Sequence, residues 1–266
     1  MDNMGSSPQQ ARLRKNSLKA KLQSCEFVVG TFLEIPSPEL VELLGLAGFD
    51  FVVVDREHGP IDLKATENLI RASLSTDISV LVRVPACEPV TISQSLDMGA
   101  AGIHVPQIET AEMAQLAVNS SKHHPLGDRG LQVYVRSASY GARGTADYLA
   151  TADHDSLVVL QVEGERGVSN LDAILKVEGI DVAFIGPYDL SQSLGFPGQV
   201  RHPSVKQTMA DAIQKARKTG KCIGTYCDDA EMALEYRAIG VSYLTVSIDA
   251  YIFLSGARSI VSRLKE

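Results

Sequence analysis

The sequence predicts a single (β/α)8 barrel, and three observations support this prediction. Eight short apolar segments alternate with eight segments of helical periodicity along the chain. Several of the helical segments are followed by a glycine, at the place where a left-handed C-cap leads into the next strand. The length of 266 residues is large for an average domain but normal for one barrel of this kind.

The predicted strands are continuous apolar runs, rich in β-branched residues, as expected for parallel strands that are buried on both faces. They cover residues 27–32, 51–54, 80–84, 102–105, 157–162, 182–185, 222–226 and 243–246. The predicted helices cover residues 38–46, 63–74, 90–98, 110–120, 170–177, 203–219, 230–239 and 252–264. The glycines expected to cap helices are Gly48, Gly99, Gly179, Gly220 and Gly240.

A doubly wound open sheet is the structural alternative. Its dinucleotide-binding form requires a glycine-rich turn after an early strand, whereas the first predicted strand leads into EIPS at 34–37. Residues 127–153 contain no predicted strand, and such a long segment usually covers a site or contains irregular helix. Residues 1–15 are polar with a basic cluster, so we expect a loosely ordered leader before one barrel domain at 16–266.

Composition restricts the function classes. The formal charge of −7 argues against nucleic acid as the main partner. No apolar run approaches the roughly 20 residues of a spanning helix, so no membrane partner is expected, and the start of the chain does not resemble a secretory signal. The four cysteines form neither a CxxC pair nor a zinc-binding pattern. These features predict a cytoplasmic protein.

Two acidic residues follow directly after predicted strands. Glu163 lies at the end of the fifth strand, and Asp189 follows the sixth. Because the carboxyl ends of barrel strands form one rim, both carboxylates are expected at the same site. Capping of the following helices is the alternative interpretation. Two oxygen ligands with open coordination positions suit Mg²⁺ or Mn²⁺ and leave room for a chelating substrate.

Other strand ends carry the groups that acid–base chemistry needs. His58 alone would more often be a core histidine, but Asp55 stands three residues earlier and could orient its imidazole for proton transfer. Arg83 could form a structural ion pair, yet its guanidinium also suits a carboxylate or an enolate. His104 lies within a strand and is interpreted as barrel packing. The combined set indicates a site that stabilises an enolate.

Several ordered motifs resemble the HpcH/HpaI aldolase family, the metal-dependent class II pyruvate aldolases. They are AGFDFVVVDREHGP (47–60), LVRVP (81–85), GAAGIHVPQIETAEMA (99–114), QVE (161–163) and VEGIDVAFIGPYDLSQSLG (177–195). The resemblance runs from about residue 16 to the C-terminal helix. It implies a (β/α)8 barrel whose last helix packs on a neighbouring subunit, in a homotrimer or homohexamer.

The resemblance also implies catalytic roles. Glu163 and Asp189 would hold the divalent metal, Mg²⁺ or Mn²⁺, with Co²⁺ or Zn²⁺ as alternatives. Arg83 would hold the keto oxygen and the developing enolate. His58, paired with Asp55, would transfer the proton.

The substrate-binding residues implied by the resemblance surround this set. Gln161 would lie near the keto acid, and the backbone at Gly186, Pro187 and Tyr188 would receive the pyruvate carboxylate. Tyr188 replaces a residue that is often alanine in the family, and Tyr226 replaces an aliphatic residue beside the substrate tail. The preferred aldehyde therefore cannot be transferred from the resemblance.

The expected reaction is reversible aldol cleavage of a 4-hydroxy-2-keto acid to pyruvate and an aldehyde, through a metal-stabilised enolate. Oxaloacetate decarboxylation is expected as a side activity, and no lysine stands at the strand ends to form a Schiff base. Three alternatives are a decarboxylase or synthase of the macrophomate synthase type, an acyl-CoA-dependent lyase, and a barrel without catalytic activity.

Overall fold

The computed structural model describes residues 17–265, in which eight parallel strands form a closed barrel. Each strand pairs with the next along the chain, and the eighth pairs with the first. The prediction of a (β/α)8 barrel is therefore confirmed. The predicted leader at 1–15 lies outside the described residues. No helix within residues 17–265 combines the length and the apolar character that crossing a membrane requires.

The strands agree closely with the predicted segments. They are β1 (Val28–Leu33), β2 (Phe51–Asp55), β3 (Ser79–Arg83), β4 (Gly102–Val105), β5 (Leu157–Val162), β6 (Val182–Ile185), β7 (Cys222–Cys227) and β8 (Tyr243–Ile248). The helices are α1 (Ser17–Gln23), α2 (Pro38–Leu46), α3 (Leu63–Ala72), α4 (Pro89–Asp97), α5 (Ala111–Ser121), α6 (Thr145–Asp155), α7 (Glu165–Ser169), α8 (Leu171–Ile174), α9 (Pro187–Ser193), α10 (Pro203–Arg217), α11 (Ala230–Ala238) and α12 (Asp249–Lys265). All five predicted capping glycines have positive φ.

The structure differs from the predicted helices at α1, at α7 and α8, and at α9, which no predicted helix covered. The predicted helix at 170–177 is replaced by the short helices α7 and α8. Helix α1 is additional, and its buried Leu18 and Leu22 pack into the core at the amino-terminal end of the barrel. The segment 127–153 contains irregular helix, as expected, in the form of a 3₁₀ helix (Arg136–Gly141) and most of α6. This segment also covers a cavity of about 190 Å³ beside the amino-terminal end of β3, remote from the polar rim described below.

The strand register determines which side chains meet inside the barrel. Asp55 is in register with Arg83, and Arg83 is in register with His104. These residues of β2, β3 and β4 therefore form one level of the barrel. The interior nearer the amino-terminal ends is filled by apolar side chains such as Phe51 and Tyr243, so the polar groups concentrate at the carboxyl-terminal end.

Candidate functional site

An ion pair between β2 and β3 forms the buried base of the polar rim. Arg83 donates from Nε to Oδ1 of Asp55 over 2.9 Å and from Nη2 to Oδ2 over 2.5 Å. Asp55 is fully buried and also accepts the backbone N–H groups of Glu57 and His58. Burial alone would raise the pKa of Asp55, but the Arg83 hydrogen bonds and charge lower it. Arg83 is therefore held in one orientation as a permanent cation.

The structure does not bring the Asp55 carboxylate and the His58 imidazole into contact. Both oxygens of Asp55 accept from Arg83, and Asp55 reaches His58 only at its backbone N–H. The His58 side chain is 64% exposed. The physical reason is the register, since Asp55 ends a strand and points into the barrel beside Arg83, whereas His58 lies beyond the strand end.

Glu57 is a residue of the site that the sequence reasoning missed. Its side chain is only 8% exposed, and Oε2 lies 3.4 Å from Arg83 Nε and 3.9 Å from His58 Nε2. The other oxygen accepts from Gln107 Nε2. Burial raises the pKa of Glu57, and the charge of Asp55 adds to this rise. Glu57, rather than Asp55, is thus the carboxylate beside the His58 ring. Glu57 lies between Asp55 and His58 in the sequence, and this position could have identified it as a site residue.

Glu163 carries the second buried carboxylate, at the end of β5. Its oxygens accept from the Gln107 backbone N–H over 2.8 Å and from the Gln161 amide nitrogen. Burial raises the pKa of Glu163 to about 7, and the negative charge of Asp189 contributes. Gly186 approaches this carboxylate closely, because a Cβ there would lie 2.7 Å from the Glu163 Cβ. The site therefore requires glycine at 186.

The second predicted ligand, Asp189, lies in the first turn of α9 and is exposed. Within residues 17–265, no group of three or more His, Cys, Asp or Glu side chains could hold a metal ion. Glu163 and Asp189 can therefore supply only part of a coordination shell, which suits a hard cation that keeps water or substrate oxygens as ligands. A cation would also relieve the charge repulsion that raises the pKa of Glu163. The donor set thus fits Mg²⁺ or Mn²⁺.

Aromatic residues form one wall of the rim. Tyr188 donates its hydroxyl to Asp228 Oδ1 over 2.7 Å, and its ring lies edge-on to Tyr226 at 5.7 Å. Tyr226 contacts Phe32 at 6.2 Å, and the Arg83 guanidinium lies 4.4 Å from the centre of the Phe32 ring. The wall is therefore continuous from the exposed Tyr188 to the buried arginine. Asp228 was not predicted, because only the folded rim brings it to Tyr188.

The predicted residues thus fall into three groups. Asp55 and Arg83 form one buried pair, while Gln161, Glu163 and Gly186 form a compact cluster near Asp189. Pro187 is buried at the start of α9, and Tyr188 and Tyr226 stand together in the aromatic wall. His58 remains apart at the exposed edge. The chemical roles of these residues remain predictions.

Comparison with known proteins gives consistent matches over nearly the whole chain. The family model for HpcH/HpaI aldolase/citrate lyase matches residues 29–255. A hydroxypyruvate/pyruvate aldolase from Roseobacter denitrificans is 38% identical over 94% of this chain and 98% of its own length. A 5-keto-4-deoxy-D-glucarate aldolase from Escherichia coli K12 is 34% identical over 94% of this chain and 97% of its own. The crystal structure of a family protein from Burkholderia cenocepacia has a TM-score of 0.90 and 35% identity, covering 94% and 100% of the two chains.

Proposed function

The chain belongs to the HpcH/HpaI aldolase/citrate lyase family and is a carbon–carbon lyase, and we propose that it is a divalent-metal-dependent aldolase. Its reaction would be the reversible cleavage of a 4-hydroxy-2-keto acid to pyruvate and an aldehyde. The observation that carries the proposal is the buried Glu163 carboxylate, which has a raised pKa, lies near Asp189 and shares its rim with the Arg83–Asp55 pair. The aldolase names of relatives that align over nearly this whole chain support the same reaction.

Glu163 and Asp189 would hold the metal, Mg²⁺ or Mn²⁺ in the first instance and Co²⁺ or Zn²⁺ as alternatives. When bound, the cation would supply Lewis-acid polarisation of the keto oxygen and neutralise developing negative charge. The protein's own contribution is to exclude water around Glu163 and to hold its carboxylate by two N–H donors. This arrangement limits the motion of the ligand before any substrate arrives.

Arg83 would stabilise the enolate from the protein side. Asp55 occupies its Nε and Nη2 groups, whereas Nη1 makes no hydrogen bond within residues 17–265. That group is available to donate to the keto oxygen, and the donation strengthens as negative charge develops on this oxygen. Asp55 acts by fixing the orientation of the guanidinium.

His58 would accept the proton of the 4-hydroxyl group during cleavage, and a proton would then be delivered to the enolate carbon to give the pyruvate methyl group; addition would run the same transfers in reverse. An exposed imidazole at the edge of the site can exchange its proton with solvent after each turnover. Glu57 would take the orienting role first expected of Asp55, since its Oε2 lies 3.9 Å from His58 Nε2. Carboxylates orient imidazoles in many acid–base sites.

The keto acid would lie between Gln161 and the β6–α9 turn. The backbone at Gly186, Pro187 and Tyr188 would receive the pyruvate carboxylate, and the missing side chain of Gly186 leaves room beside Glu163. This assignment comes from the resemblance of the motif GPYDLS.

The aldehyde would contact the wall of Tyr188 and Tyr226. The negative charges of Glu34 and Asp228 disfavour an acceptor that carries its own carboxylate. Burial raises the pKa of the Tyr226 hydroxyl, and the charges of Asp228 and Glu34, which lie near it, add to this rise. We therefore favour an uncharged hydroxyaldehyde over an aldehyde acid.

The partner surface would be α12. Its exposed apolar side chains are Tyr251, Phe253, Leu254, Ile260, Val261 and Leu264. Such a patch is typical of a protein–protein interface, which supports exchange of this helix within a homotrimer or homohexamer. A cytoplasmic location is proposed from the cysteine pattern, which shows no disulfide framework.

The decisive test detects the enolate without any assumption about the aldehyde. Metal-stripped protein is incubated with pyruvate in D₂O, with or without Mg²⁺ or Mn²⁺, and the pyruvate methyl signal is followed by NMR. We expect metal-dependent loss of this signal, and no loss with Glu163→Gln or Asp189→Asn. Unchanged exchange in both variants would contradict the metal site. Exchange without cleavage of any 4-hydroxy-2-keto acid would instead favour the decarboxylase or synthase alternative.

A further inference from the structure

His104 lies in the barrel interior directly beneath the site. It is fully buried in β4, in register with Arg83 on one neighbouring strand and with Val159 on the other. Its ring lies between Phe184, edge-on at 4.6 Å, and Phe32 at 5.9 Å. Because Gln161 is two residues beyond Val159 on β5, its side chain lies on the same face one level nearer the rim.

Three buried polar atoms in this space have no hydrogen-bond partner. They are both ring nitrogens of His104 and Oε1 of Gln161. A buried polar atom without a hydrogen-bond partner lowers the stability of the fold by about 1–3 kcal/mol, so such a group in a barrel core requires a structural or functional explanation. Gln161 is close enough to raise the pKa of His104 by hydrogen bonding, although no hydrogen bond of normal geometry is completed.

The hydrogen-bonding chemistry of Glu163 and His104 determines the orientation of the Gln161 amide group between them. When Glu163 is ionised, as a metal ligand must be, its carboxylate only accepts, so the Gln161 nitrogen faces Glu163 and the Gln161 oxygen faces away. That oxygen then requires a donor. Burial and the charge of Arg83 lower the pKa of His104 to about 3, so its imidazole is neutral and carries a single N–H.

We propose that His104 is a positioning residue for the metal ligand Glu163. Its N–H donates to Gln161 Oε1, directly or through one water, and this bond keeps the Gln161 amide nitrogen directed at Glu163. Without the donor, the amide can rotate and place its oxygen against the carboxylate. The inference rests on the proposed function, because the orientation of Glu163 matters for catalysis only if Glu163 holds the cation.

A double-mutant cycle tests the route through Gln161. His104→Phe removes the donor and keeps a ring, whereas His104→Gln restores a donor. The readouts are the Kd of the metal-free protein for Mn²⁺, measured by calorimetry, and kcat and KM for cleavage of a 4-hydroxy-2-keto acid. We expect His104→Phe to weaken Mn²⁺ binding and lower kcat about tenfold, with partial recovery in His104→Gln.

The cycle is completed in a Gln161→Leu background. There His104→Phe should have no further effect, because its route to Glu163 is already broken. Additive losses, or wild-type values for His104→Phe, would overturn the inference. Tyr243→Phe is the matched control, since it also removes an unpartnered polar atom from the barrel interior but lies away from the rim. Its Kd and kcat should match wild type.

Two measurements keep the outcome unambiguous. If Glu163→Gln leaves Mn²⁺ binding intact, the proposed function fails. If Glu163→Gln abolishes Mn²⁺ binding but the effects of His104→Phe and Gln161→Leu are additive, only the role of His104 fails. Nitrogen-15 NMR of the wild-type imidazole does not depend on the folding of any variant. In the presence of Mg²⁺, which would keep Glu163 ionised, one neutral tautomer should persist between about pH 6 and pH 9, and a mixture of tautomers would contradict a single N–H donated to Gln161.

Discussion

Replacing Glu163 with glutamine should stabilise the metal-free protein although it removes the proposed metal ligand. The Glu163 carboxyl is buried beside Asp189, and these effects raise its pKa from 4.5 to about 7. At higher pH, the ionised group therefore destabilises the folded state. Glutamine has nearly the same shape but no charge, so it removes this cost. Functional sites often carry such a conflict between activity and stability.

The sign and the size follow from proton linkage. The folded state binds this proton more tightly than the unfolded chain, so stability falls as the pH rises from about 4.5 to about 7. At about 1.36 kcal/mol per pH unit, the full change is about 3 kcal/mol. Like the protonated carboxyl group, the glutamine side chain keeps one carbonyl oxygen as an acceptor and presents a donor at its other end. Glu163→Gln should therefore match wild type near pH 5 and exceed it by up to about 3 kcal/mol near pH 8.

The assay is urea unfolding followed by circular dichroism, in EDTA, at these two pH values. Glu178→Gln, which neutralises an exposed carboxyl, is the matched control and should show no such pH dependence. Added Mn²⁺ should stabilise wild type but not Glu163→Gln. If Glu163→Gln were no more stable than wild type near pH 8, the reasoning about this carboxyl would be refuted.

Three further predictions concern the rest of the rim. Arg83→Lys cannot form the paired hydrogen bonds to Asp55, so kcat in steady-state assays should fall by about 100-fold or more while the protein stays folded; retention of kcat would contradict the enolate role. His58→Gln should lower the rate of aldol cleavage by about 100-fold or more with an unchanged Kd for Mn²⁺, because this exposed side chain is not a ligand; a weakened Kd would contradict the assignment. Tyr188→Ala should change the ratio of the cleavage rates of two substrates, the aldol adducts of pyruvate with glycolaldehyde and with glyoxylate, while pyruvate methyl exchange stays at the wild-type rate. An unchanged ratio would exclude Tyr188 from the aldehyde site.

The sequence alone was sufficient to predict the barrel. Strands buried on both faces must be apolar along their whole length, and this pattern placed six strand starts at the observed residues, with β4, β5 and β6 predicted completely. A barrel also brings all carboxyl-terminal strand ends to one rim. The candidate acidic residues could thus be selected from a few positions, and the family motifs added their expected roles.

Which side chains meet at that rim was decided only by the tertiary structure. Asp55 and His58 are three residues apart, yet Asp55 pairs with Arg83, which is 28 positions away, because strand register places those two side by side. Glu57 and His104 became visible for the same reason: the chain pattern reports that a residue is buried, but not which neighbours surround it. Hydrogen bonding acts over about 3 Å, and only the folded barrel determines which groups lie within that distance.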